Sequence, residues 1–403
     1  MSLGRVLILV ENLSVPFDRR VWQEAVSLRR AGFEVVVISP RGQKSDREKF
    51  EVLDAVEIHR YRLAPATGNA FSYLREYGIA FWRTATLVLR LGLRRRFDVV
   101  HACNPPDFLL LAALPLKLRG TRFIFDHHDL VPELYLSRFT SRRGLLYRTT
   151  RLLERMTFRL ADVVISTNES YRNVALSRGG KAPEDVFVVR SAPDLDRFKQ
   201  AQPDESLKRG KAFLLVYLGV MGPQDGVDHA LRALALLEGQ RQDWHATFVG
   251  DGDARPAMLS LARELGLQEV DFPGRIPDAE LARILSTADV CLAPDPKNPL
   301  NDLSTMNKIV EYMAMGRPIV SYDLVEARVS AGEAALYADP NEPRSFARAI
   351  ADLLDDPERR ATMGVAGRRR VEQELSWQYS EEALLAAYER TVGRRAEDPT
   401  PRP

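Results

Sequence analysis

Two hydrophobic patterns alternate along the chain. Short apolar runs rich in β-branched residues, such as Val6–Val10 and Val35–Ile38, are separated by longer amphipathic stretches, such as Arg19–Arg30. Continuous apolar runs between helices are typical of buried parallel strands, so the pattern predicts an α/β protein with helices on both faces of a sheet. Further strands are predicted at Asp98–His101, Arg122–Asp126, Asp162–Ser166, Ala212–Leu218, Ala246–Val249, Val290–Ala293 and Pro318–Ser321.

The alternation restarts near residue 190, and we expect the polar segment 199–211 to be a linker. A chain of 403 residues is too long for one hydrophobic core and fits two domains. We therefore predict two tandem doubly wound Rossmann-like domains, residues 1–195 and 196–375, followed by a last helix in residues 376–395. Ligands of such sheets bind beyond the C-terminal ends of the strands, so the interdomain cleft is the expected site.

Composition narrows the class of protein. Hydrophobic residues make up 45% of the chain and charged residues 28%, as in ordinary globular proteins. Two distant cysteines, Cys103 and Cys291, indicate neither a disulfide framework nor a metal cluster. The apolar run Val6–Val10 is too short for a signal peptide, and no uncharged apolar run reaches the about 18 residues of a membrane-spanning helix. We therefore expect a cytoplasmic protein.

Charge is distributed unevenly. Residues 1–190 contain 31 Lys and Arg against 20 Asp and Glu, whereas the rest contains 26 against 35. This asymmetry predicts an anionic partner for the first half, either nucleic acid or a membrane surface. The stretch Phe71–Arg96 mixes arginines with aromatic and aliphatic residues, which is typical of an interfacial helix, and 138–159 adds further arginines. The alternative is a core helix with a solvated arginine face.

The most informative segment is 301–320, with the sequence NDLSTMNKIVEYMAMGRPIV. We expect Ser304 or Thr305 to cap the start of a helix and Gly316 to end it in the left-handed conformation. Lys308 lies three residues before the acidic Glu311, and both are expected on the solvent-accessible side.

The start of such a helix suits a diphosphate, because its free N–H groups and partial positive charge attract anions. Lys308 would add a full charge there, and Glu311 could accept hydrogen bonds from ribose hydroxyls. The alternative is a surface helix that carries an ordinary Lys–Glu pair.

Segment 301–320 resembles the donor-binding segment of glycosyltransferase family 4, whose members have the GT-B fold. Within that family the chain is most similar to the bacterial enzymes that build O-antigen, capsule and exopolysaccharide. The resemblance covers nearly the whole chain through ordered motifs at 11–24, 104–107, 126–133, 219–226, 249–252, 273–274 and 376–377.

The resemblance implies a retaining, metal-independent transfer from a nucleotide sugar, for which UDP is our first expectation, and it implies no cofactor. The expected acceptor is lipid-linked or a glycan, with a polyprenyl diphosphate as the favoured carrier. Retention without a carboxylate nucleophile implies front-face displacement, in which the leaving phosphate takes the acceptor's proton. The implied location is the inner face of the cell membrane, on an anionic surface and without nucleic acid.

On the donor side, Glu311 matches the family's ribose-binding glutamate. A second glutamate common in the family is replaced here by Leu303, and the nearest acid is Asp302. Relatives also carry an Arg and a Lys for the diphosphate where this chain has Val220 and Asp225, so Lys308 is expected to neutralise it. The expected donor-binding residues are Gly219, Gly222, Gly250, Asp251, Ser304, Thr305, Met306, Asn307, Lys308 and Glu311.

In the first domain, the resemblance places a catalytic histidine after the strand that ends near Asp126. His128 is the better match and His127 the second, and Asp302 completes the catalytic candidates. Such a histidine is expected to orient the sugar rather than act as a strong base. The alternatives are a structural histidine pair and, less favoured because neighbouring side chains point apart, a metal site.

Asp18, Arg19 and Arg20 open the first helix and are our acceptor-side candidates, although surface salt bridges are the favoured interpretation of the two arginines. Asp251 and Asp253 mimic a metal-binding Asp-x-Asp, but a turn and helix cap are favoured.

Two rival functions remain. A sugar-nucleotide epimerase of GT-B architecture would bind the same donor, and a nucleic-acid-binding protein would use the basic half. No recognised nucleic-acid module occurs in the sequence.

Overall fold

Two separate sheets form the centres of the two units into which the chain divides. The computed structural model describes residues 3–42, 46–64, 70–138, 143–193, 195 and 198–397, with the backbone alone for 70–74, 138 and 394–397. One unit joins Met1–Ser191 to Gln378–Pro403, and the other is Ala192–Trp377. The first unit is therefore discontinuous in sequence.

The first unit has an eight-stranded sheet in the order β3-β4-β2-β1-β5-β6-β7-β8, in which only the pair β3–β4 is antiparallel. Its strands are β1 (Arg5–Leu9), β2 (Glu34–Pro40), β3 (Phe50–Leu53), β4 (Val56–Tyr61), β5 (Val99–Cys103), β6 (Arg122–His127), β7 (Val163–Ser166) and β8 (Val186–Val188). Its helices are α1 (Arg19–Arg30), α2 (Ala70–Arg94), α3 (Leu109–Lys117), α4 (Val131–Arg138), α5 (Leu145–Leu160) and α6 (Glu169–Ser177).

The second unit has a six-stranded parallel sheet in the order β11-β10-β9-β12-β13-β14. Its strands are β9 (Phe213–Leu218), β10 (Trp244–Val249), β11 (Val270–Gly274), β12 (Val290–Ala293), β13 (Ile319–Tyr322) and β14 (Ala335–Ala338). Its helices are α7 (Val227–Glu238), α8 (Arg255–Glu264), α9 (Asp278–Thr287), α10 (Asn307–Ala314), α11 (Val325–Ala331), α12 (Pro343–Asp355) and α13 (Pro357–Arg370). The last helix, α14 (Trp377–Glu397), belongs to the first unit from Gln378 onward.

The predicted α/β class with two Rossmann-like sheets is confirmed, because each unit has parallel strands joined by helices. The apolar runs became strands since both faces of the central strands are buried, as in β5, which is buried at every position. Strands β3, β4, β8, β11 and β14 were not predicted, because they are short or carry polar residues.

The polar segment 199–211 packs on the second unit. The backbone N–H of Ala201 donates to Ser286 Oγ at 2.8 Å, and that of Asp204 donates to Thr287 Oγ1 at 2.9 Å. Both acceptors lie on α9, so this segment is fastened to that helix by specific hydrogen bonds.

Helix α2 has one buried and one exposed face. Ala80, Thr84 and Val88 are buried, whereas Trp82 and Leu93 are exposed together with the helix's arginines. The side chains of Phe71, Tyr73 and Leu74 and residues 139–142, which belong to the predicted interfacial stretches, lie outside the described residues. Across the described ranges, no helix is both long enough and apolar enough to cross a bilayer.

Candidate active site

Two glycine-containing turns meet where β9 and β10 end. The N–H of Gly219 donates to Val249 O at 3.0 Å, and the N–H of Met221 donates to Asp251 O at 3.1 Å. A Cβ atom at Gly250 would lie 1.8 Å from Gly219 O, and one at Gly252 would lie 2.6 Å from Met221 O. Only glycine allows this approach, so the strand ends present a surface of backbone rather than side chains.

We predict that Gly250→Ala lowers the free energy of unfolding by about 3 kcal/mol, because it adds a clash to a strained backbone with φ +136°. Urea denaturation would measure the loss. Gly266→Ala is the matched control, since its φ is +76° and nothing lies within 4 Å of the added Cβ. Equal losses in the two variants would contradict the close approach of the turns.

The helix predicted within 301–320 is α10, and it starts later than expected. Met306 occupies the N-cap position and makes no side-chain cap hydrogen bond, while the Ser304 hydroxyl donates to Leu300 O at 2.7 Å. The expectation that Ser304 or Thr305 caps the helix is therefore wrong, because the chain is still extended at the N-cap residue, Met306. The N–H groups of the first turn have no intrahelical acceptor, and the N-cap side chain supplies none. The predicted left-handed Gly316 is confirmed, with φ +64°.

Lys308 is buried rather than solvent-accessible, which corrects the sequence-based expectation. Its side chain is 7% exposed, and Nζ donates to Asp295 Oδ1 at 2.5 Å. The ammonium lies 5.3 Å from the centre of the Tyr217 ring, and its Cε would be 3.1 Å from a Cβ at Gly219. Lys308 thus contacts the glycine turn after β9 as well as the loop after β12.

Asp302 precedes α10 and Glu311 lies on it, and their surroundings differ. Asp302 Oδ1 accepts the N–H of Val325 at 2.9 Å and lies 3.3 Å from Lys297 Nζ. Asp302 thereby caps α11, which gives it a structural role. Glu311 is half-buried on α10, one turn after Lys308.

The Asp-x-Asp motif forms part of the turn after β10. Asp251 Oδ1 accepts the N–H of Gly252 at 2.9 Å, and Ala254 occupies the N-cap position of α8. The predicted turn is confirmed, whereas the predicted helix cap is wrong because Asp253 precedes the N-cap residue.

In the first unit, a buried ionic cluster surrounds the C-terminal end of β6. The Arg20 guanidinium donates to both carboxylate oxygens of Asp126, at 2.9 and 3.3 Å, and lies 3.1 Å from Glu24. His128 Nδ1 lies 3.4 Å from Asp126 Oδ2. Arg20 is therefore an interior anchor between α1 and β6, which corrects the favoured interpretation of a surface salt bridge.

Electrostatics in this cluster favour a charged His128. Burial alone would raise the pKa of Asp126, but Arg20 and His128 hold that pKa well below its usual range. Burial alone would likewise lower the pKa of His128, but the Asp126 carboxylate outweighs it and raises the pKa to about 9. His128 is thus an imidazolium at neutral pH, suited to donating hydrogen bonds and unsuited to acting as a base.

His127 lies apart from His128. Its ring is fully buried, with ring centroids 4.9 Å from Phe158 and 5.4 Å from both Phe125 and Tyr171. Burial, reinforced by the nearby charge of Arg178, lowers the pKa of His127 to about 3, so it is neutral. Strand alternation sends the two neighbouring histidines to opposite sides, and the structure places only His128 in the ionic cluster.

Asn104 fixes the backbone beside His128. Its Oδ1 accepts the N–H groups of His128 and Asp129 at 2.8 and 3.0 Å. Its Nδ2 donates to Asp107 Oδ1 at 2.9 Å. The motif 104–107 therefore positions the turn after β6 through side-chain hydrogen bonds.

The remaining acceptor-side candidates begin α1. Asp18 is its N-cap residue, and its Oδ1 accepts the N–H of Val21 at 3.2 Å. Arg19 is exposed on the first turn. The structure thus brings Asp18, Arg20 and His128 together, whereas Arg19 points to the surface.

Four buried side chains in this cluster could offer ligand atoms to a metal ion: Glu24, His101, Cys103 and Asp126, whose atoms lie within 4.8 Å of one another. The Arg20 guanidinium already binds both carboxylates. Burial, with Asp126 next, raises the pKa of the Cys103 thiol well above its usual value, so this thiol stays protonated. The arrangement fits an Arg–carboxylate network better than a metal site.

Several residues of these two sites were not predicted from the sequence. Asp295 follows β12, and a polar residue after a predicted strand could have drawn attention to it. His101 interrupts an otherwise apolar strand, and its Nδ1 lies 2.8 Å from Tyr388 Oη on α14. That pairing joins positions 287 residues apart, and no local pattern signals it.

Comparison with known proteins identifies the fold. The structure is similar to that of sucrose-phosphate synthase from Thermosynechococcus elongatus, with a TM-score of 0.78 and 18% identity over 97% of this chain and 100% of that one. The two Rossmann-like sheets define a GT-B architecture.

Family models match both halves of the chain. Residues 18–197 match "Glycosyltransferase Family 4", and residues 212–356 match "Glycosyl transferases group 1". The chain belongs to glycosyltransferase family 4, as the motifs predicted.

Characterised relatives agree with this assignment. The chain is 27% identical over 328 residues to 2-deoxystreptamine glucosyltransferase of Streptomyces kanamyceticus, covering 78% of this chain and 83% of the relative. It is 29% identical over 412 residues to D-inositol 3-phosphate glycosyltransferase of Kineococcus radiotolerans, covering 92% and 89%. The protein is therefore a glycosyltransferase.

Proposed function

We propose that the protein is a retaining, metal-independent glycosyltransferase that uses a nucleoside diphosphate sugar, with UDP as the first choice of nucleotide. Its proposed acceptor is membrane-associated and carried on a polyprenyl diphosphate, in cell-surface polysaccharide synthesis. The observation that carries the donor proposal is the convergence of the Gly219 and Gly250 turns with Lys308 at the start of α10.

The donor's diphosphate would lie against the first turn of α10. The N–H groups there carry partial positive charge, and Lys308 lies beside them. The glycine turns would admit the nucleotide close to the backbone, and Glu311 would bind the ribose. A diphosphate at this position would compete with the Asp295 carboxylate for Lys308. Donor binding would therefore replace part of an existing ion pair, because Lys308 is already paired.

His128 would act as a positioning and charge-stabilising group. Because its pKa is raised to about 9, its imidazolium can donate a hydrogen bond to the sugar or to developing negative charge. The acceptor's proton would pass to the leaving phosphate, in agreement with front-face displacement. Asp302, which caps α11, is not included in this proposal as a reacting group.

The membrane proposal is supported by exposed apolar side chains among arginines. Leu93 on α2 is 76% exposed, and Leu145 on α5 is 80% exposed. Arginines lie beside them on the same helices, and the first half carries the excess of basic residues. Apolar residues flanked by basic ones favour an anionic bilayer surface, which we place at the inner face of the cell membrane.

A donor screen would test the proposal. UDP-, GDP- and dTDP-sugars would be compared by thermal shift, and we expect a UDP-sugar to raise the melting temperature most, because a ligand that binds only the folded state stabilises it. Transfer to a polyprenyl diphosphate acceptor would follow, with the anomeric configuration of the product read by NMR and the assay repeated in EDTA.

Each part of the proposal has an outcome that contradicts it. An inverted product would contradict retention, and loss of activity in EDTA would contradict metal independence. Epimerisation of the sugar nucleotide in the absence of acceptor would favour the epimerase alternative. If none of the three donors raised the melting temperature, the assignment of the donor site to the start of α10 would be contradicted.

A further inference from the structure

A pocket in the first unit is lined by none of the residues proposed above for sugar transfer. It has a volume of about 500 Å³ and lies between the ends of β2 and β4 and the face of α2. Its ten lining residues include six basic ones: Arg41, Lys49, Arg60, Arg62, Arg83 and Arg90. Among these described lining residues none is acidic. We call this feature the basic pocket.

The fold assembles the basic pocket from three elements. Strands β2 and β4 are parallel with Pro40 opposite Tyr61, so Arg41 and Arg62 leave the sheet side by side. The N–H of Arg41 donates to Tyr61 O at 2.8 Å and fixes this junction. On α2, the lining residues from Trp82 to Arg90 recur at helical spacing and form the opposite wall.

Charge in the basic pocket is largely uncompensated. Arg60 is buried, with Nη1 2.8 Å from Glu51 and two further nitrogens donating to Val15 O. The other five basic side chains have no carboxylate partner within the described part of the chain. The neighbouring segments 43–45 and 65–69 contain no Asp or Glu. Like charges gathered in a concave site repel one another, and a bound anion relieves that repulsion.

The wall of the basic pocket is also partly apolar. Trp82, which is 71% exposed, lines it together with Tyr61 and Leu87. Guanidinium groups match the oxygen geometry of phosphate, and an aromatic face stacks on the organic part of a ligand. We propose that the basic pocket binds a phosphate-bearing organic ligand, supplied either as a lipid headgroup or as a soluble phosphate ester. This site goes beyond the proposed transfer reaction.

Calorimetric titration with inorganic pyrophosphate tests the proposal. The proteins are the full chain, the double variant Arg62→Gln/Arg90→Gln and the control Arg94→Gln, which changes an exposed arginine on α2 outside the pocket. We expect binding at one site to weaken at least about tenfold in the double variant and to be unchanged in the control. A pyrophosphate site in the second unit would be common to all three proteins, so their difference reports the basic pocket.

Two results would overturn the proposal: equal binding by all three proteins, or equal weakening in Arg94→Gln and the double variant. Arg62 and Arg90 are exposed, so unchanged melting temperatures are expected and would exclude misfolding. Donor-induced thermal shifts should also be unchanged, which separates this test from that of the proposed function.

Vesicle flotation then distinguishes the two sources of the ligand. The same proteins are mixed with phosphatidylcholine vesicles, with or without phosphatidylglycerol. Displacement of the native protein from the anionic vesicles by inorganic pyrophosphate at constant ionic strength, with no displacement of the double variant, supports a lipid headgroup. Equal flotation of the native protein with and without pyrophosphate, combined with the calorimetric difference, supports a soluble phosphate ester.

Discussion

Replacing Lys308 by Met should reduce kcat by about 100- to 1,000-fold, because it removes a positive charge from the place where we put the leaving diphosphate. The same change should lower the free energy of unfolding by about 3–5 kcal/mol, since it leaves the Asp295 carboxylate buried without its partner. Single-turnover kinetics and urea denaturation would measure the two effects.

A second variant separates these effects. Lys308→Met/Asp295→Asn removes both charges of the buried pair, so most of the lost stability should return. Transfer should remain as slow as in the single variant, because the diphosphate still lacks its cation. Recovery of transfer together with stability would show that Lys308 serves only to neutralise Asp295.

Lys117→Met is a matched control. Lys117 forms a 2.6 Å ion pair with Asp162 in the first unit, outside the proposed site. This pair is more exposed than that of Lys308, so its loss should cost less stability. Transfer by the folded protein should be unchanged.

Asp126→Asn should have the second large effect. It keeps the shape of the side chain but removes the charge that holds both Arg20 and His128. Leaving the buried Arg20 with a weakened partner should cost about 3–5 kcal/mol of stability. Without the Asp126 carboxylate, burial and Arg20 should lower the pKa of His128, so its imidazolium should deprotonate at a lower pH than in the native protein.

The dependence of stability on pH tests this directly. In the native protein the pKa of His128 is raised from 6.5 to about 9, so the stabilisation it contributes is complete below about pH 6.5 and is lost as the pH rises through about 9. The free energy of unfolding should therefore fall over this range. In Asp126→Asn the fall should be smaller, and NMR titration of His128 should show the lowered pKa.

Transfer by Asp126→Asn should also lose activity at a lower pH than transfer by the native enzyme, because the imidazolium deprotonates earlier. Glu133→Gln is the control, since it weakens the ion pair with Arg178 and leaves the contacts of His128 intact. An unchanged pH profile in Asp126→Asn would contradict a role for the charged histidine.

Much of the fold follows from local patterns. The run at Asp98–His101 predicts a strand because Val99 and Val100 are apolar and β-branched, and the structure has this strand as β5 (Val99–Cys103), which is buried at every position. Strand β4 escaped prediction because Glu57, His59 and Arg60 interrupt its apolar positions. Val56, Ile58 and Tyr61 are still buried, because side chains alternate between the faces of the sheet and both α1 and α2 contact this strand.

The candidate site was predictable only in part. The spacing of Lys308 and Glu311 placed both on one helix, and α10 confirms that helix. The burial of Lys308 was not predictable, because it depends on Asp295 in a preceding loop. The ionic cluster likewise joins Arg20 and Glu24 of α1 to Asp126, which lies 106 positions after Arg20, and no periodic pattern relates residues so far apart.

The contact between His101 and Tyr388 has a consequence for synthesis on the ribosome. Tyr388 is fully buried, and its ring centroid also lies 5.5 Å from that of Phe33. A nascent chain holding every residue of 1–191 still lacks Tyr388, which is translated only after the whole of Ala192–Trp377. The whole of the Ala192–Trp377 unit is synthesised before Tyr388. The sheet of the first unit is therefore made first but completes its core only after the second unit has been made.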